Sequence, residues 1–392
     1  MTALRGRQFL AIPGPTNIPD RILNAMHRPA VDFKSTRFQP VEAEIFEGLK
    51  RVFKTESTVY AYPSAGRGAW EAAMVNTLSP GDRVLIGETG AFSMFWREIA
   101  VELGLQVEDL PGDWRHGVDP AAVEARLTED TAREIKAVCV VHNETSTGVA
   151  SRCGEIGRAI RAAGHPALYM VDTISSLASI DFRMDEWGVD LAVSGSQKGL
   201  MLPSGMSFLG VSEKAAHAAQ SARMPRSYWD WNELRDPDGG LRFPSTSPVH
   251  LIWGLQESLR MLFEEGLEAV FARHQRLAEA ARRAIRAWGR DGGPEIFSLD
   301  PREHSNSITS ILLPEGHDAE AVRRTAEHRF GVALGAGLRH LNGRVFRFAH
   351  MGDLNEPMVL GALAGVELSL AANRVPFARG GLQAAMDYLG EA

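Results

Sequence analysis

The sequence predicts an α/β fold in which helices cover both faces of a mostly parallel sheet, joined to a smaller α+β domain toward the C-terminus. Three features lead there. Between about residues 57 and 212, short β-branched runs alternate with amphipathic helical stretches, the pattern of repeated strand–helix–strand units. The runs at 135–142 and 167–171 are almost wholly apolar, as expected of strands buried on both faces. After Pro248 the texture changes to long helical stretches followed by separate strand-like segments.

Taken in order, Thr58-Val59-Tyr60-Ala61 predicts the first strand of the sheet and Gly68 to Leu78 the helix after it. Arg83-Val84-Leu85-Ile86 is the next strand, with a helix over Met94 to Leu103. Ile135 to His142 forms a strand, Glu155 to Ala163 a helix, and Ala167 to Val171 a second buried strand. Leu191-Ala192-Val193 and Met206 to Val211 complete the series. Beyond Pro248, helices are predicted over Val249 to Leu262 and Leu267 to Trp288. Strands follow at Ser307 to Leu313 and Arg344 to His350, with helices between and after. The large domain is expected over 20–254 and the small one over 1–19 together with 255–392. No internal repeat or low-complexity tract interrupts this plan.

Length and charge narrow the function. A chain of 392 residues is long enough for two domains around sizeable cores. Lys and Arg number 42 against 49 Asp and Glu, with no block of like charge, so neither nucleic acid nor an anionic membrane is expected as partner. Cys139 and Cys153 form no metal-ligand pattern and no disulfide scaffold. Cys139, in Ala137-Val138-Cys139-Val140-Val141, is expected in the core. Met1 to Gln8 lacks the apolar stretch of a signal sequence, and no run reaches the ~20 apolar residues of a membrane span. Gly390-Glu391-Ala392 is no targeting address. A cytoplasmic protein is expected.

The chemistry begins at Lys198, in Ser194-Gly195-Ser196-Gln197-Lys198-Gly199. A lysine flanked by small residues after a buried strand can approach a ligand closely. Desolvation or a neighbouring cation lowers its pKa and makes it a nucleophile toward an aldehyde. Taken alone, an exposed loop lysine explains the segment as well. Asp172 weighs against that. It ends the apolar strand Ala167 to Val171, where an uncompensated charge is costly. A pyridinium nitrogen would compensate it and keep the ring an electron sink; a helix or turn cap is the plainer reading. Ser64-Ala65-Gly66-Arg67-Gly68 enters a helix, and a glycine-rich turn at a helix N-terminus binds phosphate through free N–H groups and the helix dipole. Lysine, carboxylate and phosphate turn in adjacent units of one sheet make a bed for pyridoxal 5'-phosphate (PLP). Arg347 lies in Val345-Phe346-Arg347-Phe348-Ala349, on the same strand face as Val345 and Ala349, a poor place for a solvated charge. A carboxylate would satisfy its planar fork.

The chain resembles the class V, fold-type I PLP-dependent aminotransferases, specifically the bacterial serine–glyoxylate and alanine–glyoxylate group. The resemblance runs nearly end to end, through Ile12-Pro13-Gly14-Pro15-Thr16-Asn17, His142-Asn143-Glu144-Thr145-Ser146-Thr147-Gly148-Val149, Met184-Asp185-Glu186-Trp187-Gly188-Val189-Asp190 and Gly195-Ser196-Gln197-Lys198-Gly199. It implies a large domain with a seven-stranded-type sheet and a smaller C-terminal domain. Lys198 looks like the Schiff-base lysine and proton shuttle, and Asp172 like the partner of the pyridine nitrogen. Thr145 matches the hydroxyl that bonds the ring oxygen, and Phe92 the residue stacked on the ring. Ala65, Gly66, Arg67 and Gln197 match the phosphate surroundings. Thr246 matches a threonine that reaches the phosphate of a neighbouring subunit, implying a homodimer. Arg347 matches the grip on the substrate α-carboxylate, with Asn17 beside the substrate. The implied reaction moves an amino group from serine first, then alanine or aspartate, to glyoxylate. A PLP-dependent lyase acting on a small amino acid is the alternative.

Several positions depart from the family pattern. Ala65 replaces a hydroxyl, Arg67 a small polar residue or histidine, Phe243 a tyrosine, and Phe33 a histidine; Thr246-Ser247-Pro248 replaces Thr-Pro-Pro. Arg67 is therefore expected either to take over phosphate binding or to face the substrate and favour an acidic side chain or a second anion. His142 and His350 are expected to be structural.

Overall fold

The computed structural model describes residues 6–235 and 239–391. In chain order, strand β1 (Phe9–Ala11) leads to helices α1 (Asp20–Met26) and α2 (Gln39–Phe53). There follow β2 (Thr58–Tyr62), α3 (Gly66–Thr77), β3 (Arg83–Gly87), α4 (Ala91–Glu102), β4 (Gln106–Leu110), α5 (Pro120–Glu129) and β5 (Ile135–Val141). The short strands β6 (Asn143–Glu144) and β7 (Val149–Ala150) flank a turn before α6 (Cys153–Ala162). Then come β8 (Leu168–Asp172), α7 (Met184–Trp187), β9 (Leu191–Gly195), β10 (Ser207–Val211) and α8 (Glu213–Ala218). Helices α9 (Val249–Glu265) and α10 (Leu267–Trp288) precede β11 (Glu295–Ile296), β12 (Ile308–Leu312), α11 (Ala319–Phe330), β13 (Val332–Ala336), β14 (Val345–Ala349), α12 (Glu356–Ala372) and α13 (Gly381–Gly390).

The large sheet has seven strands in the order β2-β10-β9-β8-β5-β3-β4. Only β10 runs against the others. Its central strands are apolar on both faces because helices cover both. Along β5, Val138 and Val140 pack with Phe53, Tyr169 and Phe208 on one side. Ala137, Cys139 and Val141 pack with Trp70, Met74 and Trp96 on the other, the period of two that a strand imposes. Trp70 and Trp96 stack with centroids 5.7 Å apart and planes 11° from parallel. Such a pair adds about 1 kcal/mol beyond its burial.

The edge strand β4 was not evident in the sequence, and its exposure explains why. Gln106, Glu108 and Asp109 interrupt its apolar residues; Arg126 pairs with Glu108 and Arg97 with Asp109. Charges of this kind protect an open edge.

The second sheet has the order β1-β13-β14-β12-β11. Its strands β12 and β14 fall on the two segments predicted after residue 300. The first strand of the chain returns to it, since β1 pairs in parallel with β13. Helices α10 to α13 supply its core with Leu277, Ile285, Trp288, Val322, Leu363, Leu370 and Ala385. Because β2, β3, β5, β8 and β9 run in parallel, their carboxyl ends open on one edge of the large sheet, where α/β proteins bind ligands. Among the described residues no helix is long and apolar enough to cross a membrane, and no His, Cys, Asp and Glu side chains cluster as metal ligands.

Candidate active site

Asp172 closes β8 and is 4% exposed. Its carboxylate accepts hydrogen bonds from the Ile174 backbone N–H at 2.6 Å and from Trp70 Nε1 at 3.2 Å. Burial pushes its pKa up to about 7, and the Glu144 charge pushes the same way; the Ile174 N–H opposes them. Among the described residues it has no basic side chain in ion-pair contact. A buried acid held by two donors without a cation is a place for a cation to bind.

Lys198 lies in the turn that follows β9 and is 8% exposed. Its Nζ donates to the carbonyl oxygen of Pro13. Burial, and then the charge of Arg347, lowers its pKa to about 8. Gly14 has φ +115°, and a Cβ there would stand 2.7 Å from Lys198 Nζ, so the lysine crosses bare backbone that only glycine provides. Thr16 stitches this segment to the lysine turn: its N–H donates to Gln197 O at 3.2 Å and its hydroxyl to Lys198 O at 3.1 Å. Asn17 follows, half-buried, with its amide directed to Leu10 O at 3.4 Å.

Two helix N-termini face this edge, and they differ. That of α4 is already filled. Glu144 Oε2 accepts from the Phe92 and Ser93 backbone N–H groups at 3.1 Å each, and Ser146 Oγ accepts from Ala91 N at 2.9 Å. That of α3 has no side-chain cap, because its cap position is Ala65. A Cβ on Gly195 would stand 3.1 Å from Gln197 Oε1 and 3.7 Å from Gly66 N, which places both at the same glycine. Gln197 Oε1 is buried with no hydrogen-bond partner among the described residues. Hydroxyls that the sequence reading missed stand beside the turn, with Ser64 Oγ and Ser207 Oγ 2.6 Å apart. Arg67 is exposed and lies over the Phe95 ring, 4.2 Å from its centroid. Arg339 lies over the same ring at 4.6 Å and pairs with Glu98.

Thr145 and Arg347 meet across the two sheets. Arg347, on β14 and 7% exposed, donates from Nε to Ala336 O at 2.7 Å and from Nη1 to Thr145 O at 3.1 Å. No acidic side chain pairs with it among the described residues. Burial lowers its pKa to about 10, against the opposing pull of Glu144. The Thr145 hydroxyl donates to Ser175 Oγ at 2.8 Å. Phe92 is half-buried and meets Phe95 edge-on at 5.7 Å.

The structure thus gathers Lys198, Asp172, Gln197, Gly66, Thr145 and Arg347 at one edge. Thr246 is exposed, in the turn before α9, and makes no hydrogen bond to these residues. His142 and His350 are buried and held by Ser176, and by Asn306 and Thr309. Cys139 and Cys153 are free and buried, and burial pushes both thiols up. Sequence reasoning missed Trp70, Glu144 and Ser175. Glu144 carried the same signal as Asp172, an acid next to a buried strand, but it sat inside a motif valued for Thr145.

A family model for class V aminotransferases matches residues 13–349. Serine–glyoxylate aminotransferase from Methylorubrum extorquens is 47% identical over 98% of this chain and 97% of its own. L-Aspartate–glyoxylate aminotransferase from Paracoccus denitrificans is 42% identical, covering 96% and 95%. The crystal structure of ureidoglycine–glyoxylate aminotransferase from Bacillus subtilis superposes with a TM-score of 0.90 at 28% identity, covering all of both chains. With likeness of this extent in both sequence and structure, the chain belongs to the class V aminotransferases.

Proposed function

We propose that the protein is a PLP-dependent transaminase that moves the amino group of a small L-amino acid, serine first and then alanine or aspartate, to glyoxylate. The observation that carries this reading is the pairing, at one sheet edge, of a buried uncompensated carboxylate, Asp172, with a buried lysine of lowered pKa, Lys198. Relatives that share over 40% identity are named for serine–glyoxylate and aspartate–glyoxylate transfer, and these names favour transamination over a lyase reaction.

When bound, the cofactor supplies an aldehyde and a cationic ring that withdraws electrons from the donor's α-carbon. Asp172 would hold the ring nitrogen and keep it protonated. Lys198 Nζ would hold the cofactor through its aldehyde, and the same amine is the base placed to take the α-proton from the donor. The uncapped start of α3 at Ala65 and Gly66 would receive the phosphate, with Arg67 within the same turn and Gln197 beside it, whose side-chain amide would donate through its NH2 group; α4 cannot serve, because Glu144 fills it. Phe92 would cover the ring face, and the Thr145 hydroxyl would bond the ring oxygen. Arg347 binds the α-carboxylate, with Asn17 beside the substrate. The sum is balanced: serine and glyoxylate give hydroxypyruvate and glycine.

The proposal includes a homodimer in which the exposed Thr246 reaches the partner's phosphate. It also includes a division into 20–254 around the large sheet, and 1–19 with 255–392 around the small one, with α9 as the continuous link. The test is glycine formation from glyoxylate by purified, PLP-loaded protein. Serine, alanine and aspartate should each support it to different extents, and Lys198→Ala should abolish it. Full activity in Lys198→Ala would overturn the reading.

A further inference from the structure

Glu144 is buried without any exposed surface and without a basic partner in ion-pair contact among the described residues. It is satisfied instead by donors from two segments. Oε2 accepts from the backbone N–H groups of Phe92 and Ser93 at the start of α4. Oε1 accepts from the Ser146 N–H at 3.0 Å and the Ser146 hydroxyl at 2.6 Å. An anion at a helix N-terminus is stabilised by the free N–H groups and the dipole, and hydrogen bonds to a charged group are the stronger kind. The fit is close on the third side too. A Cβ on Gly90 would stand 2.4 Å from Glu144 Cγ and 2.5 Å from Cδ. Glutamate therefore ties two residues of the proposed site: Phe92, whose own N–H it holds, and Thr145, its chain neighbour.

We infer that Glu144 is a positioning residue, a buried carboxylate that locks Phe92 and the Thr145–Ser146 turn into one unit so that the ring-covering and ring-oxygen contacts are set together. The inference rests on the proposed role of Phe92. It predicts that Glu144 acts mainly through Phe92 and to a lesser extent through Thr145, not through the fold at large. A glutamine keeps the shape but presents an amide NH2 to an N–H donor, so at least one of the contacts to α4 or to Ser146 is lost.

The experiment is a double-variant cycle on the full-length protein, reading the dissociation constant for PLP and the visible circular dichroism of bound PLP. Glu144→Gln should weaken PLP binding about tenfold and reduce the induced dichroism, with far-ultraviolet dichroism unchanged. Phe92→Ala should do the same. The combined variant should be within about threefold of Phe92→Ala alone, because only the Thr145 contact is left for the second change to disturb. Multiplied effects, or an unchanged PLP constant in Glu144→Gln, overturn the inference. If Phe92→Ala alone leaves PLP binding unchanged, the failure lies in the reading of Phe92. Should Glu144→Gln not fold, Gly90→Ala displaces the same carboxylate while keeping its charge, and the same cycle against Phe92→Ala applies.

Discussion

The pKa of Lys198 makes a prediction that can be worked in numbers. Only the neutral amine attacks an aldehyde. Burial and the charge of Arg347 lower the pKa from an ordinary 10.5 to about 8. At pH 7 about one amine in ten is then neutral, against roughly one in three thousand for an unperturbed lysine, an advantage of about 300-fold. The assay is capture of PLP by the cofactor-free protein, followed at the visible band over pH 6 to 10.5 and normalised to capture by a free alkylamine. The rate should rise with pH and reach half its limit near pH 8. Replacing Arg347 by glutamine removes the second cause and should move that midpoint upward, though burial keeps it below 10.5. A midpoint near 10.5 in the unaltered protein would refute the reasoning, since it would mean that the lysine is solvated.

Three further outcomes are expected. Arg347→Gln should cost about tenfold to a hundredfold in kcat/KM for the amino donor, the equivalent of one or more hydrogen bonds to a charged group; steady-state kinetics with serine and alanine checks it. Arg67→Thr should weaken PLP retention if Arg67 serves the phosphate, and alter the ratio of aspartate to serine activity if it faces the substrate; measured unchanged on both counts, it has neither role. In the cofactor-free protein Asp172 holds a proton at pH values where the unfolded chain has released it, because its pKa stands at about 7 against 3.8. Its contribution to stability therefore falls as pH rises from about 4 to 7 and levels off above, by up to about 4 kcal/mol. Thermal melts at pH 5 and pH 7.5 should show that decline, and Asp172→Asn should flatten it.

Much of the architecture was legible because burial on both faces leaves an unmistakable apolar run. Ile135 to Val141 and Leu168 to Asp172 are strands of that kind, and helix α10 falls on the predicted Leu267 to Trp288. Less could be seen where elements are half-exposed or very short. Strand β4 carries three polar residues in five, and β1 and β11 are only three and two residues long. Helices α2 and α5 begin at or near prolines within polar sequence and were not separated from their loops. At the site, Asp172 and Lys198 stood out because a charge beside a buried strand needs a reason. Contacts through backbone groups leave no such mark. The Pro13 carbonyl that receives Lys198, and the Thr145 carbonyl that receives Arg347, depend on how distant segments meet. Ser64 and Ser207 also come together only in the folded chain, and they place hydroxyls beside a turn whose own cap position is Ala65.

The central claim is that Asp172, Lys198 and Arg347 together support transamination. The direct measurement is a half-reaction on purified, PLP-loaded protein with single amino acids and no acceptor. Serine, alanine or aspartate should convert the visible band to the pyridoxamine form, and glyoxylate should restore it without release of ammonia. No conversion with any of them, or return of the band with ammonia released and no glyoxylate added, would contradict it.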